Sequence, residues 1–161
     1  MRRVLTIDPG IRTCGYAYWY NLSDTKLPDC SGIWRQKTGT DWKIAVRGQW
    51  LEFKLFIQKP IDLVVIETPS VWGSAKSHAS AVKGDLFKMA HMIGGFHYMC
   101  AMWEIDIELI TPRDWKGQLP KRVVEARLIK QYGQKFRDHE CDAVGIGSWI
   151  YRRMLNENAE G

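Results

Sequence analysis

Two carboxylates in this 161-residue chain close apolar, β-prone runs. Asp8 follows Val4-Leu5-Thr6-Ile7, and Glu67 follows Ile61-Asp62-Leu63-Val64-Val65-Ile66. A charge at the end of such a run is costly unless it is paired, wet or bound to a cation. If the two runs are parallel neighbours, their ends lie about 4.8 Å apart. Both acids then emerge at one sheet edge, where open α/β sheets bind ligands. Two hard oxygen donors at that spacing suit one or two divalent cations, since catalytic metal pairs sit about 3.5–4 Å apart. The plainer alternative has Asp8 capping the Pro9-Gly10 turn and Glu67 salt-bridging an arginine. Spacing alone leaves the two readings level.

A third segment, Asp138-His139-Glu140-Cys141-Asp142-Ala143-Val144-Gly145-Ile146-Gly147, reads as the start of a helix. His139 and Asp142 are three residues apart and share a face. Gly145 and Gly147 let that helix approach a sheet closely. Asp138, at the helix start, is a natural N-cap, and Glu140 is expected to face solvent. For His139 the ordinary alternative is a surface histidine.

The elements that must hold these groups follow from periodicity. Val4–Ile7, Cys14–Tyr20 and Gly32–Arg35 read as strands in an antiparallel meander, the first broken by Pro9-Gly10. Between Asp41 and Gln58, Trp42, Ala45, Val46, Trp50, Phe53 and Ile57 recur at helical intervals, and Pro60 ends the helix. The run Ile61–Ile66 reads as a strand covered on both faces. A helix is expected from about Ala79 to Trp103, bent or loosened at Gly84 and Gly94-Gly95, then a strand over Ile105–Ile110. Helices over Lys121–Tyr132 and Asp138–Leu155 complete a β-β-β-α-β-α-β-α-α order, a mixed α/β class in one domain spanning residues 1–161.

Composition narrows the function. The chain is 45% hydrophobic and 25% charged, which is ordinary for a globular protein and excludes disordered and fibrous classes. No run reaches the roughly 18–20 apolar residues of a membrane span, and Met1-Arg2-Arg3 precedes no signal-peptide core. A cytoplasmic setting is therefore expected. The four cysteines form no CxxC pair, so reduced, partly buried thiols are expected rather than a zinc site or disulfides. The net charge of +5 favours an anionic partner. Of eight tryptophans, most should be core and one or two could stack on a base.

In order and spacing, Ile7-Asp8-Pro9-Gly10 with Gly15-Tyr16, Val64-Val65-Ile66-Glu67, and His139-Glu140-Cys141-Asp142-Ala143 resemble the RuvC family of Holliday-junction resolvases. That family belongs to the RNase H-like, retroviral-integrase superfamily. The resemblance covers nearly the whole chain. It implies a five-stranded mixed sheet of three antiparallel strands followed by two parallel ones, flanked by helices. It implies a metal site of Asp8, Glu67, His139 and Asp142 holding Mg²⁺ or Mn²⁺, two ions per site, with no nucleotide cofactor. Lys116 and Lys121 match two family lysines near the active site and the phosphate backbone. The family's aromatic residue shortly after the strand-four Glu has no direct counterpart in Thr68-Pro69-Ser70-Val71, and Trp72 would take its role from a shifted position.

The activity so implied is metal-dependent hydrolysis of phosphodiesters in branched DNA, the four-way junction above all. Lys76, Lys83, Arg113, Lys116, Lys121, Arg122 and Trp72 are the expected DNA contacts, phosphate and shape dominating over base edges. The apolar stripe Met89, Met92, Ile93, Phe96, Met99 and Trp103 would cover the sheet and, as in the family, serve a twofold homodimer. Rival readings are a nuclease for structured RNA or for flap and branched DNA, and a non-catalytic junction binder. An actin-like phosphotransferase lobe also begins with a strand and an Asp-Gly turn, but 161 residues are too few for two such lobes.

Overall fold

The computed structural model describes residues 2–22, 27–69 and 84–159. Three strands come first: β1 (Val4–Asp8), β2 (Thr13–Trp19) and β3 (Cys30–Arg35). Then follow α1 (Trp42–Phe56), β4 (Leu63–Glu67), α2 (Asp85–Met102) and β5 (Asp106–Ile110). The chain continues through α3 (Pro112–Lys116), α4 (Lys121–Tyr132) and α5 (Asp138–Ala159). The sheet order is β3-β2-β1-β4-β5. The β1–β2 and β2–β3 pairs are antiparallel, and β1–β4 and β4–β5 are parallel. This is the mixed α/β architecture expected from the sequence.

Alternation along β1 and β4 divides the core between two faces. Val4, Leu63 and Val65 join the cluster built with α3, α4 and α5, whereas Leu5, Ile7, Val64 and Ile66 pack beneath α1 and α2. The register pairs Val4 with Leu63 and Ile7 with Ile66. The next residues, Asp8 and Glu67, therefore sit side by side on the α5 face, because each is an even number of positions from a residue of that face.

Helix α5 lies close on the sheet. A Cβ on Gly147 would come within 1.9 Å of the Trp19 ring, and one on Gly15 within 1.9 Å of the His139 carbonyl oxygen. Thr6, buried in the middle of β1, donates to the Ala143 carbonyl at 2.7 Å and ties the helix to the strand.

Several boundaries differ from expectation. Helix α2 begins at Asp85, after Gly84 in the left-handed region at φ 72°; residues 79–83 of the expected helix lie outside the described residues. Gly94-Gly95 do not interrupt it. Instead Gly95 makes room for the Trp50 indole, which donates to the Met92 carbonyl at 2.9 Å. The stretch after β5, to which the sequence assigned no element, contains α3, and α5 extends to Ala159 rather than Leu155. The four cysteines are free thiols, as expected. Among the described residues no helix is long and apolar enough to cross a membrane.

Candidate active site

The C-terminal ends of β1 and β4 deliver Asp8 and Glu67, and the first turns of α5 deliver His139 and Asp142 onto the same rim. His139 Nδ1 lies 2.7 Å from Asp8 Oδ2. Gly15 is the register partner of Asp8 on β2, and its missing side chain lets the α5 backbone descend to that distance. Asp8 and Asp142 are each 7% exposed.

Two lysines complete the cluster. Lys116, the last residue of α3, places Nζ 3.6 Å from Glu67 Oε2 and 3.9 Å from Asp142 Oδ1. Lys121, the first residue of α4, lies 3.1 Å from Asp142 Oδ2 and also pairs with Asp138. Lys116 is largely covered, whereas Lys121 stays half exposed. The indole of Trp115 donates to Glu67 Oε2, and the Lys116 ammonium sits 4.6 Å from that ring's centre. Gly145 of α5 faces the Trp115 ring, where a Cβ would meet it at 2.5 Å.

Asp8, Glu67 and Asp142 share the rim with Lys116, Lys121 and His139, and burial works against the charged acids. Burial pushes the Glu67 carboxyl up to about 7, the charge of Asp8 adds to the rise, and Lys116 opposes it. Burial likewise raises Asp8, against the hydrogen bond and charge of His139. His139 in turn is held above its ordinary value by that hydrogen bond. For Lys121 the loss of water alone would lower the value, but Asp138 and Asp142 raise it overall.

The donor set of three carboxylates and an imidazole suits a hard divalent cation. Asp142 Oδ1 is buried without a hydrogen-bond partner among the described residues, and the Lys116 ammonium is already drawn between Glu67 and Asp142. As the side chains stand, no three His, Cys, Asp or Glu groups among the described residues close around one point. The residues thus fit such an ion by chemistry and charge, in an open arrangement.

Other expected positions fare differently. Asp138 does not cap α5: it is the helix's first residue and pairs with Lys121. Glu140 is not solvated; it accepts from Ser31 Oγ at 2.7 Å and from the Arg137 backbone N–H at 3.1 Å. Arg113 and Arg122 are exposed, on α3 and α4. Further from the rim, Lys88 pairs with Asp85 and Lys135 with Glu125. Trp72, Lys76 and Lys83 lie outside the described residues. Sequence reasoning missed Trp115 as a partner of Glu67. The signal was Thr111-Pro112-Arg113-Asp114, a helix start with Pro at its first position and a capping box in which Thr111 and Asp114 satisfy each other's backbone.

No protein-family model matches the chain, and no curated protein matches its sequence. Solved structures do. Thermus thermophilus RuvC superposes with a TM-score of 0.70 over 95% of this chain and 96% of that one, at 16% identity. The structure of T. thermophilus RuvC in complex with Holliday junction substrate gives 0.71 over 96% of each chain, also at 16% identity. The chain therefore has the RuvC-like form of the RNase H-like fold.

Proposed function

We propose that this chain is a divalent-cation-dependent endonuclease that nicks four-way DNA junctions or closely related branched DNA. The observation that carries the reading is the convergence of Asp8, Glu67, His139 and Asp142 on one rim, its carboxylates held largely out of water. These four residues would hold Mg²⁺ or Mn²⁺. When bound, such ions lower the pKa of a water nucleophile and stabilise the leaving oxygen of the phosphodiester.

The remaining work falls to the chain itself. Asp8 orients the His139 ring through Nδ1, which leaves the other ring nitrogen for a ligand or a proton. The Trp115 N–H fixes one oxygen of Glu67 and so selects which oxygen faces outward. Lys116 and Lys121 supply positive charge beside the acids, where a phosphate's non-bridging oxygens need it. Arg113 and Arg122 extend that charge along the DNA backbone. Lys76, Lys83 and Trp72 are the further contacts this reading assigns.

A second copy of the chain would bring a second site for the opposite strand. Helix α2 supports this: Met92, Ile93 and Phe96 are buried over the sheet, while Phe87, Tyr98, Met102 and, just past the helix end, Trp103 stand exposed. Such apolar exposure marks an interaction surface.

The test is nicking of a synthetic mobile four-way junction with Mg²⁺ against EDTA, beside labelled duplex, flap and RNA-hybrid controls. Cleavage confined to the junction and to Mg²⁺ or Mn²⁺ is expected. Junction binding with no turnover in either metal would instead identify a non-catalytic binder. Light scattering of the same preparation should give twice the 18.7 kDa chain mass.

A further inference from the structure

A cleft of about 420 Å³ opens between α4 and α5, and Trp115 and Lys116, the partners of Glu67, are among its lining residues. That volume is in the range of small-ligand sites. Its floor is apolar, from Leu119, Val124 and Leu128, and its rim carries Arg127, Arg152 and Arg153. No carboxylate lines it among the described residues. The same face of α5 runs from Asp142 past Gly145 to Trp149, so the cleft's indole lies about 10 Å along the helix axis from the metal-type site.

The charges are not equivalent. Arg153 is neutralised by Glu108, which takes both terminal nitrogens at 2.6 and 2.8 Å, and its guanidinium lies 4.8 Å from the centre of the Trp149 ring. Glu108 thus holds the guanidinium over the Trp149 indole. Arg152 donates to the Ser148 carbonyl at 3.2 Å and keeps its charge, and Arg127 faces the cleft from α4. A flat aromatic surface, an apolar floor and two cations without lining acids suit a flat, apolar-faced ligand that carries an anion.

We infer that this cleft holds one unpaired nucleotide of the DNA strand passing the carboxylate site. The base lies against the Trp149–Arg153 surface and its phosphate between Arg127 and Arg152. Planar stacking with cations along the backbone is how single strands are held without sequence preference. The inference rests on the nuclease reading for the identity of the strand. It makes the protein grip the unpaired DNA next to the cut, not the duplex arms alone.

The test uses the full chain in EDTA, so that it does not depend on cleavage. Affinities are measured for a fluorescent oligothymidylate, for a duplex of equal length and for free thymidine 5′-monophosphate. The double substitution Arg127→Ala/Arg152→Ala should weaken oligothymidylate binding about tenfold and leave duplex binding within about twofold. Arg127→Lys/Arg152→Lys should restore most of the loss. An oligothymidylate carrying 5-iododeoxyuridine should photo-crosslink to the peptide containing Trp149. Equal losses for single strand and duplex, unchanged single-strand affinity, or crosslinks that avoid that peptide overturn the proposal. Monophosphate bound as tightly as the oligonucleotide would overturn the strand as occupant in favour of a free nucleotide. Absence of junction cleavage in Mg²⁺ would sink the nuclease reading while leaving these EDTA measurements intact.

Discussion

The two ends of the β1–β4 pair carry the same ingredients and use them in opposite ways. At the N-terminal end, Asp62 accepts from the Arg3 backbone N–H at 2.7 Å and from its Nε at 3.0 Å. Arg2 lies 3.5 Å from Asp106 beside it. Those groups are partly to largely exposed and matched one to one, and the Arg3 hydrogen bond holds the Asp62 carboxyl below its ordinary range. At the C-terminal end, Asp8 and Asp142 are buried beside a largely covered Glu67, and loss of water drives Glu67 up to about 7. One rim is an ordinary surface ion pair, which contributes little. The other is held at a cost to the apo fold, and such perturbed groups cluster where function requires them.

The sharpest way to break that contrast is Asp8→Asn. It keeps the shape of the rim and the contact to His139 while removing one charge. Junction cleavage should fall by more than about a hundredfold, beyond the loss that follows from removing a mere supporting partner of a metal ligand. Junction binding in EDTA should stay as it was. Retained cleavage, with contaminating nuclease excluded, would show that the buried acids are not the catalytic ones.

Gly15→Ala attacks the same rim through the backbone. The new Cβ meets the His139 carbonyl, which belongs to the helix backbone and cannot rotate away. The start of α5 must lift from β2, at a stability cost of about 3 kcal/mol in urea denaturation. Divalent-cation binding, followed by calorimetry, should weaken in parallel. A Gly15→Ala protein of unchanged stability would mean that α5 sits further from the sheet than 1.9 Å implies.

Glu67→Gln should do the reverse in the absence of divalent ions. The folded carboxyl binds its proton up to about 7, against an ordinary 4.5. The folded state therefore binds more protons than the unfolded one between those values, and stability falls as pH rises through them. The neutral amide escapes that loss. At pH 8 it should be more stable than the parent by on the order of 2 kcal/mol, with no difference at pH 4. Adding Mg²⁺ should stabilise the parent and not the variant. Equal melting curves at pH 8 would show that Glu67 is better compensated than Lys116 and Trp115 imply.

Much of this architecture was legible in the sequence because burial on both faces leaves a clear trace. The β-branched run before Glu67, the helical period after Asp41 and the small residues of Val144–Gly147 each point to one element, and the structure has all three. Asp8 and Glu67 could be placed at one edge because a parallel register needs only that two strands be neighbours. What the sequence hid were contacts made between distant elements. Glu140 carries no mark of its bond to Ser31, 109 positions away, nor Trp115 of its bond to Glu67. The role of Gly15 was also out of sight, because a glycine in a strand says that something comes close without saying what. Helix α3 was the avoidable miss, since its capping pattern lay in plain view.

Asp62→Asn is the smallest of the expected effects and the one that completes the contrast. Its carboxyl is held low by Arg3, so the folded state binds fewer protons than the unfolded one just below the ordinary aspartate value. The stability it contributes is present above that value and is lost as pH falls through the lowered one. The substitution should therefore lower the melting temperature slightly at pH 7 and have no effect in strong acid. Because the pair is partly exposed, the loss should shrink further in high salt. Cleavage and cation binding, which belong to the other end of the strands, should not move. At pH 8 in EDTA, one acid-to-amide change would then destabilise and the other stabilise, on the same two strands. If both changes destabilise, the C-terminal carboxylates are compensated as well as Asp62 is, and the case for a cation-seeking rim fails with them.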